Sequence, residues 1–334
     1  MFIRENEIND NYKHYIPDNL KSLFHSNFIV LDIETTGFSR INASIILIGL
    51  LIKTENKLVT KQIFSETLKE EKLILKKLVE ILDSMSHYFF ITYNGHSFDL
   101  PFINAKLRQH RIDYQLNLNN NFDLYRLIRR NKNCLNLKRH NLKSIEKFLK
   151  IKRQDTISGK ESIQLYYDYL EVKNKTLLEK ILLHNFEDIK YLLPLLKILD
   201  YFSYNQIMTF YPKKIDNYYY FSQLKIHNNF ITIHLTGFSN DTIHYYDEFC
   251  TIKSNKDHNA LVIKIVLKEF LIDDVLYQLM NHKVFYSDPF NTLSPSAKNN
   301  LIVSIQNELQ FDKIILNTKK ILRKYNIKKV PTDS

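Results

Sequence analysis

The run Phe28-Ile29-Val30-Leu31, followed at once by Asp32-Ile33-Glu34-Thr35-Thr36-Gly37, constrains this chain more than any other feature. Four consecutive apolar residues fit a central strand buried on both faces. Side chains alternate along a strand, so Asp32 and Glu34 leave its end on one face and Ile33 on the other. Two carboxylates fixed side by side at the margin of a core repel each other. A hard cation such as magnesium or manganese relieves that repulsion. Gly37 allows a sharp turn and a close approach of a ligand to the backbone. A bare Asp-x-Glu is common; the hexapeptide in this position is the informative unit.

Two more acidic elements lie downstream. Tyr93-Asn94-Gly95-His96-Ser97-Phe98-Asp99-Leu100-Pro101-Phe102 follows an apolar strand and opens a helix, because Pro101 belongs in a first turn. Taken alone, Asp99 reads as an ordinary N-cap. In His184-Asn185-Phe186-Glu187-Asp188 the histidine and Asp188 are four apart, on one face of a helix. Ile189, Leu192, Leu193 and Leu196 form its packing face, and Pro194 ends or kinks it.

The patterns between these elements give an order. Strands are expected near 28–31, 43–52 and 58–64, the last two as a hairpin. Thr67 and Glu70 then form a capping box before a helix carrying Leu75, Leu78, Val79 and Leu82. A strand at 88–93, a helix to about 110, a short strand near 120–122 and a helix from Asp123 follow. Further helices are expected near 141–149, 161–170 and 174–197. This predicts an α/β domain over 27–200, with a mixed five-stranded sheet flanked by helices, preceded by an N-terminal arm, 1–26. Beyond 200, alternation in 231–235 and 261–267 and a hairpin turn at His227-Asn228-Asn229 predict a smaller α+β module, 201–334. It ends in helices near 297–310 and 312–325. Its tyrosines (Tyr218, Tyr219, Tyr220, Tyr245, Tyr246) offer packing surface or platforms for stacked bases.

The 334 residues carry a net charge of +11. Lysine, asparagine and isoleucine abound throughout, so the total says less than its distribution. Residues 126–153 hold eleven lysines and arginines against one acid, Glu146, for a local net charge of +10. Arg129, Arg130 and Arg139 lie in this stretch, which suits a phosphate backbone; the alternative is a solvated helical face. The two cysteines, Cys134 and Cys250, form no Cys-x-x-Cys pair and indicate neither a disulfide framework nor a zinc site. No apolar stretch is long enough to cross a bilayer, and no signal-peptide core follows Arg4, Glu5 and Glu7. A cytoplasmic protein that binds nucleic acid and no membrane is expected.

Together the three acidic elements resemble the DEDD (DnaQ-like) 3′–5′ exonuclease superfamily, over about residues 28–197. Within it the chain is similar to the YprB-type ribonuclease H-like family, in Thr92-Tyr93-Asn94-Gly95, in Asp123-Leu124 leading to Arg129-Arg130, and in Leu149 to Tyr166. The last stretch includes Ile151-Lys152-Arg153, Asp155, Ser158-Gly159 and Glu161. The resemblance implies a ribonuclease H-like fold in which Asp32, Glu34, Asp99 and Asp188 bind two divalent cations, Mg2+ or Mn2+. It implies that Glu34 and Thr35 lie near the terminal nucleotide, that Asn94 is a nucleic-acid contact and that His184 is the general base. The implied activity is 3′→5′ hydrolysis to nucleoside 5′-monophosphates, in DNA repair and alongside a helicase.

One departure bears on His184. The histidine branch of the superfamily usually has four residues between its histidine and aspartate, whereas here there are three, the spacing of the tyrosine branch. His96 and His140 are the alternative bases, and Asp123 reads as a cap rather than a ligand. Two rival functions are a nucleic-acid-binding subunit without chemistry and a structure-specific endonuclease of the same fold. The intact acidic quartet argues against the first.

Overall fold

Six segments of the first 201 residues join one mixed sheet: β1 (Phe2–Glu7), β2 (Asn27–Thr35), β3 (Ile45–Lys53), β4 (Leu58–Phe64), β5 (Tyr88–Thr92) and β6 (Asn121–Asp123). Their order is β1-β4-β3-β2-β5-β6. Strands β2, β3, β4 and β1 pair antiparallel, whereas β5 lies parallel to β2 and β6 parallel to β5. The computed structural model describes residues 1–8, 12–16, 24, 27–54, 57–85, 88–118, 120–130, 132, 135–155, 157–201, 218–238, 243–254 and 260–325. The chain divides into two units, Met1–Tyr201 and Phe202–Ser334.

Helices cover both faces of the sheet, which is why every residue of β3 is buried. On one face, α1 (Glu71–Asp83) and α2 (Asp99–Gln109) bring Ile74, Leu75, Leu78, Leu100, Phe102 and Ile103 against Leu31, Ile33, Ile48 and Leu50. The short helices α3 (Leu124–Arg130) and α4 (Leu142–Phe148) come next. On the other face, α5 (Gly159–Val172) and α6 (Lys175–Leu195) set Tyr166, Tyr169, Ile181 and Leu182 against Ile46, Leu47 and Phe64. Pro194 lies in the last turn of α6, beyond which the chain tightens into a 3-10 helix, Leu196–Tyr201.

Two local expectations are corrected here. The segment read as an arm supplies a sixth strand, because β1 pairs with β4 from Phe2↔Phe64 to Glu7↔Val59. Charged side chains mark β1 as an edge: Arg4 grips Glu179 at 2.6 and 2.8 Å, and Glu5 meets Lys61 at 2.6 Å. The capping box at Thr67 does not form. Its hydroxyl makes no cap, and Glu70 instead accepts from Glu66 N at 2.8 Å and from the N-terminal amine at 2.6 Å. A complete box stands at Ser158 and Glu161, at the start of α5.

The second unit has its own core. Its strands are β7 (Tyr218–His227), β8 (Phe230–Phe238), β9 (His244–Tyr246), β10 (Cys250–Ser254), β11 (Ala260–Ile272), β12 (Val275–Met280), β13 (Ile302–Ile305) and β14 (Glu308–Leu309). Ile231, Ile233 and Leu235 pack with Leu261, Ile263 and Ile265, and β7 and β8 meet at the turn where Asn228 has φ 51°. The helix expected at 297–310 is replaced by α7 (Pro295–Asn300) and the β13–β14 hairpin, where Gln306 and Asn307 hold positive φ. The final helix, α8, spans Phe311–Tyr325. Among the described residues no helix is long and apolar enough to cross a membrane.

Candidate active site

Both carboxylates of β2 face α6. Asn185 donates to Asp32 Oδ2 at 3.0 Å, and His184 Nε2 stands 3.6 Å from Glu34 Oε1. Ile33 packs into the opposite core. Asn185, fully buried, is held in turn by Gln62, whose amide donates to Asn185 Oδ1 at 3.1 Å and to the Leu182 carbonyl at 2.7 Å. Gly49, directly across from Asp32, makes room: a Cβ there would lie 2.2 Å from Asn185 Oδ1. Sequence reasoning missed Gln62 and Asn185. The signal for Asn185 was available, since it lies on the His184 helix beside a candidate residue. Gln62 is marked by no local pattern.

Asp99 is the first residue of α2 but does not cap it. Its Oδ1 reaches across to accept from Ile33 N at 3.1 Å, in the middle of the acidic strand. Thus α2 and β2 are tied at the position where their carboxylates converge. Asp188, one turn beyond His184 on α6, has Oδ2 3.8 Å from His184 Nε2. Glu34, His184 and Asp188 each offer a ligand atom, and these atoms lie within 4.8 Å of one another.

Arg153 departs from the expected basic surface. It turns inward, its side chain only 7% exposed, and pairs with Asp188 Oδ1, with Glu146 at 2.9 Å and with Glu187 at 3.3 Å. It also donates to the His184 carbonyl at 3.3 Å. A buried guanidinium needs several acceptors to offset its lost hydration, and three carboxylates with a carbonyl supply them. The lone acid of the basic stretch, Glu146, is therefore one of its internal partners. Two residues on, Asp155 Oδ2 lies 2.7 Å from His184 Nδ1.

The electrostatics are those of a site short of positive charge. Burial pushes Glu34 up from 4.5 to about 7, with the His184 charge opposing and Asp188 reinforcing the shift. Burial raises Asp99 to about 7 as well, against the hydrogen bond from Ile33 N. Asp32 is raised well above the usual carboxylate range by loss of hydration, then by Asp188, Asp99 and Glu34. Burial alone would lower His184; Glu34, Asp188 and Asp155 outweigh it and raise the imidazole. A convergent set of oxygen donors that resists ionisation fits hard divalent cations. Only Oδ1 of Asp188 is taken by Arg153, which leaves Oδ2 turned toward the histidine.

Thr35 Oγ1 donates to the Gly37 carbonyl at 2.8 Å and closes the turn after β2. Asn94 adopts φ 72°, and its backbone N–H donates to Asp123 Oδ1 at 2.9 Å, while Asp123 Oδ2 accepts from His96 N at 3.0 Å. Asp123 also accepts from Arg126 N at 3.3 Å, so it ties the Asn94 loop to the start of α3. His96 Nδ1 lies 3.2 Å from the Leu118 carbonyl. Arg129, exposed, lies over the Tyr125 ring, and Arg139 is exposed too. The side chain of Arg130, those of Tyr218, Tyr219 and Tyr220, and Cys134 lie outside the described residues. Tyr245 packs on the core of the second unit and bonds Asp247, whereas Tyr246 is 79% exposed.

A family model described as the RNase_H superfamily matches residues 29–200, and the chain belongs to that superfamily. No curated protein matches the chain. Solved structures similar to it include an ExoI/SSB-Ct complex, at 11% identity over 90% of this chain and 72% of that one, with a TM-score of 0.30. Another is the zinc-bound form of an E. coli ExoI–ssDNA complex, at 13% identity, covering 92% of this chain and 75% of that one, with a TM-score of 0.31.

Proposed function

We propose that this chain is a two-metal-ion nuclease, a 3′→5′ exonuclease that releases nucleoside 5′-monophosphates. The supporting observation is that Glu34, His184 and Asp188 bring ligand atoms within 4.8 Å of one another, while the buried Asp32 feels the charges of Asp188, Asp99 and Glu34, and Glu34 and Asp99 are raised to about 7. These four carboxylates would hold the cations. When bound, Mg2+ or Mn2+ neutralises charge on the phosphate and eases ionisation of a water.

The chain's own groups do the rest. His184 Nε2 faces Glu34 and Asp188 and accepts a proton from the attacking water. The water oxygen bonds to phosphorus, the bond to the 3′ oxygen of the preceding nucleotide breaks, and that oxygen takes a proton from solvent. The exposed Arg129 and Arg139, with Arg130, track the backbone phosphates. By the resemblance, Thr35 would lie near the terminal nucleotide and Asn94 would contact the nucleic acid. By its resemblance to YprB-type proteins we place this activity in DNA repair, with a helicase as partner.

The test is purified full chain with Mg2+ or Mn2+ on 3′-labelled and 5′-labelled DNA and RNA, single- and double-stranded. Stepwise loss of mononucleotides from the 3′ end is expected, abolished by EDTA and by Asp32→Asn. The variant should fold as well as the wild type or slightly better, because it removes like-charge repulsion. Full activity in excess EDTA overturns the metal mechanism, and internal cuts overturn the exonuclease assignment.

A further inference from the structure

Among the described residues, His184 is the imidazole grouped with Glu34 and Asp188, and its far nitrogen is engaged. Nδ1 lies 2.7 Å from Asp155 Oδ2, while Nε2 faces Glu34 Oε1 at 3.6 Å and Asp188 Oδ2 at 3.8 Å. A carboxylate can only accept, so this contact requires a hydrogen on Nδ1 and leaves Nε2 as the nitrogen turned toward the acidic cluster. Both side chains are buried, at 5% exposure for His184 and 3% for Asp155, so water does not compete for the bond.

Asp155 is itself fixed from several directions. It lies in the loop between α4 and α5, and its backbone N–H donates to Glu187 Oε2 at 2.9 Å. Gln154 N donates to Glu187 Oε1 at 3.0 Å, and Arg153 Nε meets the same carboxylate at 3.3 Å. Glu187 thus clamps the loop onto the helix that carries His184 and Asp188. Asp155 Oδ1 is occupied by Ile157 N at 3.0 Å, which leaves Oδ2 for the imidazole. The Arg153 guanidinium, 3.9 Å away, offsets the buried charge. A base oriented by a third group held rigidly behind it is the recurring arrangement of general-base sites.

We infer that Asp155 is a positioning residue that holds His184 in the Nδ1–H tautomer, with Nε2 presented to the catalytic carboxylates. The inference rests on the reading of His184 as proton acceptor, which it deepens. Asp155 touches neither substrate nor cation; it fixes the ring and stabilises the imidazolium formed when Nε2 takes the proton.

The experiment uses the full chain. Nitrogen-15 imidazole spectra in Mg2+, at alkaline pH and without nucleic acid, report the tautomer of His184, assigned by its loss in His184→Ala. The Nδ1–H form is expected in the wild type, with a shift toward Nε2–H in Asp155→Asn. On a single-stranded oligonucleotide, Asp155→Asn should lower kcat by about a hundredfold or more. KM and calorimetric Mn2+ affinity should not change. The double variant Asp155→Asn/His184→Ala should be no slower than His184→Ala alone. An Nε2–H tautomer in the wild type overturns the inference, and needs no folded Asp155 variant. Unchanged kcat in Asp155→Asn also overturns it, as does a further loss when Asp155→Asn is added to His184→Ala. Wild-type turnover in His184→Ala sinks the general-base reading instead, and the tautomer still decides the role of Asp155.

Discussion

At the scale of single residues, the acidic cluster is held in place by uncharged neighbours. Gly49 shows this most sharply, because the space over it is filled by the amide that orients Asp32. Gly49→Ala should force Asn185 aside against the buried Gln62, at a cost of about 1–3 kcal/mol. Denaturant unfolding measures that loss, and Mg2+ calorimetry should show weaker binding through a misplaced Asp32. Unaltered stability and affinity would mean that Asn185 moves freely. The carboxylates make a pH prediction. Glu34 and Asp99 titrate at about 7, from ordinary values of 4.5 and 3.8, so the folded chain holds these protons more tightly than the unfolded one. Their contribution to stability is complete below the unfolded values and is lost as pH rises through about 7. Cations compete with the same protons. Mg2+ affinity should therefore rise as pH climbs toward about 7 and level off above it, followed as the Mg2+-induced gain in Tm. An affinity independent of pH between about 5.5 and 8.5 would contradict this assignment.

At the scale of elements, each piece brings one part of the site, and α6 brings several. His184, Asn185 and Asp188 face β2, while Ile181, Leu182 and Ile189 are buried in the packing. The end of β5 anchors the basic segment, because the Tyr93 hydroxyl donates to the His140 carbonyl just before α4. The segment's exposed cations include Arg129, Lys132, Lys138, Arg139, Lys147 and Lys150. Replacing Arg129, Arg130 and Arg139 together with alanine should weaken binding to all sequences alike. On duplex DNA it should also flatten the slope of log affinity against log salt by about 0.9 for each phosphate that the variant no longer neutralises. Titrations at several salt concentrations check this, and an unchanged slope would reduce the segment to a solvated face. Arg153 is left out of that substitution because it is held by internal carboxylates.

At the scale of the whole molecule, the described residues of the two units fall into separate hydrophobic clusters. The clusters on either side of the first sheet draw on residues up to Leu182, and that of the second unit on residues from Leu224 onward. Residues 1–201 expressed alone should therefore melt cooperatively and retain Mg2+-dependent cleavage, read by calorimetry and a mononucleotide-release assay. An unfolded fragment would show that the first unit needs the second. The sequence by itself determined the things that depend on local repetition. Strand alternation put Asp32 and Glu34 on one face, helical spacing put His184 and Asp188 on one face, and the order of apolar runs laid out the sheet and its helices. Only the tertiary structure decided the rest. It turned Arg153 inward, added β1 to the edge of β4, took Asp99 from helix cap to partner of Ile33, and brought Asp155 to His184 across 29 residues. The physical reason is that a polar side chain in a loop or at an edge carries the same local pattern whether water or a distant partner satisfies it. The choice is made only when burial removes the water.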